Sequence, residues 1–227
     1  MASAAQTLHI DGDRVLVPAS VFDHDGFRRW AKSDAFPERV RATFVAGEVL
    51  LETSPESLES HSNVKGAITA ALFDFVRERD LGELYPDGVL LTHPEAGLSC
   101  EPDLLFVTWE TFEKDRVRLI ERAERKTEYI EIEGTPDLVV EIVSDSSVRK
   151  DLVLLRNAYL RAGVPEYWLI DARDEELRFE ILENGGDGFR PTAAATEPQE
   201  SRILRTRFSL TRSRNRLGRF AYRLETR

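Results

Sequence analysis

Glu141 stands inside Leu138-Val139-Val140-Glu141-Ile142-Val143, a run that is apolar at both parities and therefore reads as a strand buried on both faces. A carboxylate there is costly to desolvate unless it is paired or binds a cation. Asp103 is a similar case, placed at the entrance to Leu104-Leu105-Phe106-Val107. Glu48, in Gly47-Glu48-Val49-Leu50-Leu51, is a third. Three acidic residues at or in apolar strands suggest convergence on one hard cation, Mg2+ or Mn2+, since such ions prefer oxygen ligands. The plainer alternative for each is a salt bridge or a strand edge. Asp137 shares the parity of Glu141 and follows Pro136; it reads as part of the turn that opens the strand, with a role at the site as the competing interpretation.

The surrounding pattern says what would position these groups. Val40 to Leu51 reads as two strands around the turn Ala46-Gly47, and Ser54-Pro55 then breaks the pattern. Ser60 or Ser62 can cap a helix on which Val64, Ala67, Ile68, Ala71, Leu72, Phe75 and Val76 recur at helical spacing. Leu84 to Thr92 is a strand broken near Asp87-Gly88, and Leu104 to Thr108 is a short apolar strand. The charged stretch Glu110 to Glu133 is either a helix with a solvated face or an insertion. Ser146 or Ser147 can cap a second helix carrying Val148, Leu152, Leu155 and Tyr159 on one stripe, with Gly163 as its left-handed stop and Pro165 beyond. Glu166 to Ile170 is a strand, and Leu177 to Leu182 with Phe189 onwards resembles a hairpin across Asn184-Gly185-Gly186. Tyr159 and Trp168 read as packing residues. The element order predicts an α/β fold with a central mixed β-sheet flanked by helices.

Composition sets the bounds. With 227 residues, 41% of them hydrophobic, the chain can bury a substantial core. No apolar run approaches the ~20 residues that span a bilayer, and the N-terminus lacks a basic start followed by an apolar block. A cytoplasmic location without a membrane partner is the expectation. A single cysteine, Cys100, excludes an internal disulfide and a cysteine-based zinc site. The net charge of −10 weighs against a polyanionic substrate. Its distribution changes that reading: Arg202 to Arg227 holds nine arginines against one acid, Glu225. This is either a nucleic-acid arm or a solvated tail that offsets an acidic body. No glycine-rich phosphate loop and no serine-hydrolase elbow is present.

Pro136-Asp137-Leu138-Val139-Val140-Glu141-Ile142-Val143-Ser144, then Lys150-Asp151, then Tyr159 to Asp171 (YLRAGVPEYWLID), strongly resembles the Uma family of restriction endonucleases. Gly47-Glu48, Ser54-Pro55, His61 and Glu101-Pro102-Asp103 fall in that family's order. The resemblance covers roughly residues 37 to 210. It implies a restriction-endonuclease-like nuclease domain of the PD-(D/E)XK superfamily there; outside it, residues 1–36 read as an N-terminal extension in which Phe27 to Ala35 can form a short helix ended by Pro37, and 211–227 as a basic C-terminal tail. It implies that Asp103 and Glu141 bind Mg2+ or Mn2+ with the backbone carbonyl of Ile142, and that Glu48 completes the site. His61 matches a histidine near the first helix, or else bonds locally at the helix start. The superfamily lysine would stand two residues after the glutamate, where this chain has Val143; the lysine that relatives carry on the next helix falls at Leu155. The nearby cations are Lys150 and Arg156, and arginine cannot act as a base. The implied function is phosphodiester hydrolysis in DNA, with a homodimer as the implied assembly. Two alternatives stay open: a catalytically degenerate fold that binds nucleic acid or protein without cutting, and a purely structural role with Glu141 neutralised by an internal arginine.

Overall fold

A computed structural model describes residues 6–10, 13–37, 40–122 and 125–227. Strands β1 (Gln6–Ile10) and β2 (Asp13–Val17) pair as a hairpin ahead of helix α1 (His24–Ala31). Asp23 caps α1, its side chain accepting from the Gly26 N–H at 2.7 Å. The helix ends before the predicted limit at Ala35. It buries Phe27 and Trp30 against Phe44 and Ala42 of β3 (Arg41–Val45). β4 (Glu48–Glu52) returns antiparallel to β3 across Ala46-Gly47, as the sequence suggests.

Helix α2 (Asn63–Arg79) is entered through a π-helical turn, Leu58–Ser62. The capping side chain belongs to Ser57, which accepts from the Ser60 N–H at 3.3 Å, and neither Ser60 nor Ser62 caps the helix. The next strands are β5 (Gly82–Pro86), β6 (Leu90–His93), β7 (Leu98–Cys100) and β8 (Leu104–Thr108). Short α3 (Trp109–Glu113) leads into β9 (Val117–Arg122) and β10 (Arg125–Gly134). The charged stretch after Glu110 is therefore mostly an antiparallel strand pair. Alternation explains it: Val117 and Leu119 of β9 and Ile132 of β10 pack inward, while the alternate positions Arg118, Glu131 and Glu133 are charged. β11 (Leu138–Ile142) precedes a second π-helical turn, Lys150–Leu155, and α4 (Arg156–Arg161). Gly163 stops this helix at φ +72°, as its position predicts. β12 (Glu166–Asp171), β13 (Arg178–Asn184), β14 (Phe189–Pro191), β15 (Gln199–Ser201), β16 (Thr206–Arg214) and β17 (Phe220–Thr226) complete the chain.

Two mixed six-stranded sheets form the centre. One runs β4-β3-β7-β6-β10-β9, and the other β14-β13-β12-β11-β8-β5. In the second, β11 is parallel to β12 and antiparallel to β8. One face of this second sheet, through Val139, Tyr167 and Leu169, packs with Tyr159 and with Leu91 and Leu98 of the first sheet. Its other face, through Leu104, Phe106, Val140 and Trp168, is covered by α2 and by the small sheet β15-β16-β17. The expected basic tail is thus largely strand. Phe208 is 1% exposed and packs edge-on against Trp168 and Phe75, with ring centroids 4.9 and 5.6 Å apart. Glu166 of the GVPEYWLID string is buried and accepts from Trp168 Nε1 and Ser201 Oγ, both at 2.7 Å, which ties the small sheet to β12. No helix among the described residues is long and apolar enough to cross a membrane.

Part of the expected N-terminal extension is likewise integrated. Glu131 of β10 is buried and accepts from Arg28 Nε at 2.8 Å and Lys32 Nζ at 2.5 Å. Burial pushes its carboxyl up, but the bonds from Arg28, Lys32 and Thr92 outweigh this and hold it below its ordinary 4.5. A depressed carboxylate stabilises the fold above its unfolded pKa and loses that contribution as pH falls through the folded value. Acid should therefore loosen α1. We expect the emission of buried Trp30 to shift red as pH falls below ~4, and the Glu131→Gln variant to show a flatter transition. An unchanged acid transition in the variant would place the weak point elsewhere.

Candidate active site

Asp103 and Glu141 share a cavity because of strand register. β8 and β11 are antiparallel with Leu104 opposite Val140, so Asp103 and Glu141 continue the same ladder. Glu141 has the parity of Val139 and Asp103 that of Leu105, both on the face toward the first sheet. The ladder closes where the Ile142 N–H donates to Asp103 Oδ2 at 2.8 Å. The cavity holds about 120 Å3 and is also lined by Arg41, Glu52, Glu56, His61, Glu101, Lys150 and Asp151. That volume admits a hydrated ion or a phosphoryl group, given ~30 Å3 per water.

The two carboxylates differ in electrostatics. Asp103 faces cations: Lys65 Nζ at 2.8 Å, His61 Nε2 at 3.5 Å and Arg41 Nη1 at 3.9 Å. Burial pushes its pKa up, yet the His61 bond and the Lys65 charge outweigh it and hold Asp103 well below the usual range. Glu141 is pushed well above the ordinary carboxylate value by burial and by the charges of Asp151 and Asp103. Its Oε1 accepts from the Tyr159 hydroxyl at 2.5 Å. Tyr159 is kept neutral by burial and by Cys100 and Glu141 beside it, so it remains a donor. Reading Tyr159 as packing alone therefore missed half of its role.

Lys150 comes from the π-helical turn that follows β11. Its Nζ lies 2.6 Å from Glu52 and 3.5 Å from Asp151. Burial lowers its pKa, but the charges of Asp151, Glu141 and Glu52 prevail and it stays protonated. Asp151 is 1% exposed and bonded by Ser147, and burial raises its pKa; its Oδ1 makes no hydrogen bond. On the other wall, Glu56, His61 and Asp103 offer ligand-type atoms within 4.8 Å of one another. A hard divalent cation fits this donor set. The buried carboxyls of Asp103, Glu141 and Asp151 line one cavity, and among the described residues Glu141 has no cation within ion-pair distance, so a divalent ion would supply the charge it lacks.

Two expected site residues lie elsewhere. Glu48 has the same parity as Glu52 but stands at the far end of β4, ~13 Å along a strand of four steps. There it forms an exposed pair with Arg149, at 2.8 and 2.9 Å. Glu52 is the β4 residue that reaches the cavity. Arg156 follows the π-helical turn and bonds the Phe189 carbonyl at 3.1 Å, next to β14, outside the cavity. Asp137 accepts from Thr108 N–H and Oγ1 and from Thr111 Oγ1, at 2.8, 3.0 and 2.9 Å, so it fastens the strand opening.

The model of a family named Uma2, described as "Putative restriction endonuclease", matches residues 25–213. The chain belongs to the Uma2 family. Among solved structures, one described as a putative nuclease belonging to DUF820 from Anabaena variabilis is similar at 17% identity and a TM-score of 0.49, over 80% of this chain and 96% of that one. No curated protein matches the chain.

In this Uma2 chain the cations reaching the cavity stand at neither of the positions where the resemblance implies a lysine. Val143 is fully buried in the core, and Leu155 is buried too. The sequence reading missed Lys65, Arg41, Glu52 and Asp151. For Lys65 a signal existed: it stands four residues after His61, so one helical face presents both. Arg41 and Glu52 face each other across the β3–β4 pair, a relation visible only once the hairpin register is fixed.

Proposed function

We propose that the protein is a Mg2+- or Mn2+-dependent endonuclease that hydrolyses phosphodiester bonds in DNA. The observation that carries this reading is the ladder end at which Asp103 and Glu141 open onto one small cavity with Lys150 on its wall. Asp103 and Glu141 would hold the ion with the Ile142 carbonyl. When bound, the ion supplies Lewis acidity to the phosphoryl oxygen and to the attacking water. The protein's own groups do the rest. Tyr159 fixes the carboxyl plane of Glu141. Lys150, held protonated, offsets charge that grows on the phosphoryl oxygens; it is not the base.

Catalysis at this position does not require the missing lysine at Val143, because Lys150 brings an ammonium to the same cavity from the next element. Cleavage of supercoiled plasmid with Mg2+ or Mn2+ tests the reading, comparing wild type with Asp103→Ala and Glu141→Ala. Nicking that survives both substitutions would remove it. A second reading, DNA binding without cutting, draws on the cations already paired with Asp103. It predicts that wild type binds duplex but nicks nothing.

Tyr159→Phe deletes one hydrogen bond to a proposed ligand and keeps the ring packed against Tyr167. Outer-shell bonds of this kind are worth roughly 10–100-fold in metal affinity. Calorimetric Mn2+ titration should show a loss in that range, with the thermal midpoint little changed. Equal affinity in the two proteins would make the Tyr159–Glu141 bond incidental.

A further inference from the structure

The C-terminal ribbon ends in an exposed tip that the fold itself does not need. β16 and β17 pair from Phe208↔Thr226 to Arg214↔Phe220, leaving Asn215 to Arg219 as the connection. The connection is well braced. Asn215 Oδ1 accepts from the N–H groups of Leu217 and Arg219 at 2.9 and 3.1 Å, and the Asn215 N–H donates to the Arg219 carbonyl at 2.9 Å. Gly218 supplies φ +74°. Leu217 is 72% exposed at the apex. Arg216 and Arg219 flank it, both exposed, and neither side chain makes an ion pair among the described residues. The one acid in this hairpin, Glu225, is at its opposite end. Behind the tip, Arg212 and Arg214 lie over the Phe220 ring at 4.1 and 4.3 Å, which stiffens the ribbon.

The tip also adjoins the cavity wall. The Phe220 N–H donates to Glu59 Oε2 at 2.9 Å, and the Phe220 carbonyl accepts from Asn63 Nδ2 at 3.5 Å. Glu59 and Asn63 bracket His61, which lines the cavity. An apolar side chain between two unpaired arginines matches a DNA base step between two phosphates, and wedges of this composition insert between base pairs. An acidic protein surface would satisfy the arginines but gives no account of the lone leucine.

We propose that the tip is a duplex-DNA contact: Arg216 and Arg219 hold phosphates, and Leu217 wedges into the base step beside the phosphodiester presented to Asp103 and Glu141. This rests on the nuclease reading for its choice of DNA. Binding is measured by anisotropy of the full-length protein on a labelled duplex carrying 2-aminopurine, in EDTA, where no turnover intervenes. R216Q/R219Q should lower the slope of log K against log salt by about 2 and weaken binding at least tenfold near ~0.1 M salt, at ~0.9 per phosphate contact. L217A should keep the slope and lose the 2-aminopurine fluorescence rise, while L217F keeps both. An R216Q/R219Q protein with wild-type slope and affinity overturns the proposal, as does an L217A protein that retains the fluorescence rise. Capture of phosphatidylglycerol vesicles without duplex affinity overturns it in favour of a membrane contact. The nuclease reading fails separately: tip-dependent binding by a wild type that cannot nick plasmid sinks the cavity chemistry alone, and nicking by wild type with indifferent tip variants sinks the tip alone.

Discussion

Glu141→Gln is expected to abolish plasmid nicking and to stabilise the protein in EDTA. The two effects share one cause. Glu141 is fully buried beside Asp103 and Asp151, and its ionised form is disfavoured by burial and by both neighbours. Glutamine has the same shape, keeps an oxygen for the Tyr159 hydroxyl and carries no charge. It therefore relieves the destabilisation that the carboxylate imposes at neutral pH, where the group is forced to ionise or to hold a proton against solvent. The same substitution removes a proposed ligand, so nicking should fall on the order of 10^3-fold or more. Added Mn2+ should reverse the stability ranking. At ~100 times its dissociation constant a ligand stabilises by about 2.7 kcal/mol, which for a domain of this size is a rise of roughly 5–10 °C in Tm. Wild type should show that rise and Glu141→Gln should not. An equal Mn2+ response in both proteins would separate Glu141 from metal binding altogether.

The split between what was legible and what was not follows from the range of the information. Local pattern sufficed for β3, β4, α2, β8, β11 and β12, since each is set by spacing within the element and has a Gly or Pro close to one of its ends. Glu141 and Asp103 stood out because a charge in an apolar strand is anomalous wherever that strand goes. The errors came from relations between elements. Glu48 and Glu52 share a face of β4, and only the direction of the hairpin decides which of them reaches the cavity. Arg156 falls on the expected stripe for an α-helix, but residues 150–155 wind as a π-helix and the stripe rotates. Glu110 to Glu133 was ambiguous because its strands alternate charge with apolar residues, and high charge obscured the period of two. Arginine content concealed the strands at the C-terminus in the same way, although Phe208, Leu210, Tyr222 and Leu224 all pack toward the core.

That concealed packing carries the largest expected loss of stability. Phe208→Ala should cost about 3–5 kcal/mol, the range for deleting a buried aromatic ring. Phe208 fills the gap between α2 and the second sheet, edge-on to both Trp168 and Phe75. The consequence reaches the site through α2. The same helix that rests on Phe208 carries Lys65 and continues from the turn bearing His61, so a loosened α2 disturbs the partners of Asp103. We expect Tm to drop by roughly 10 °C, and nicking measured at 25 °C to fall less than at 37 °C, because the defect is one of folding and not of chemistry. R216Q/R219Q, eight and eleven residues further along the same chain segment, should leave Tm unchanged. A Phe208→Ala protein that melts with wild type would mean that β16 is a dispensable appendage; the contrast between the two variants distinguishes a ribbon that is half core and half contact surface from a tail that is neither.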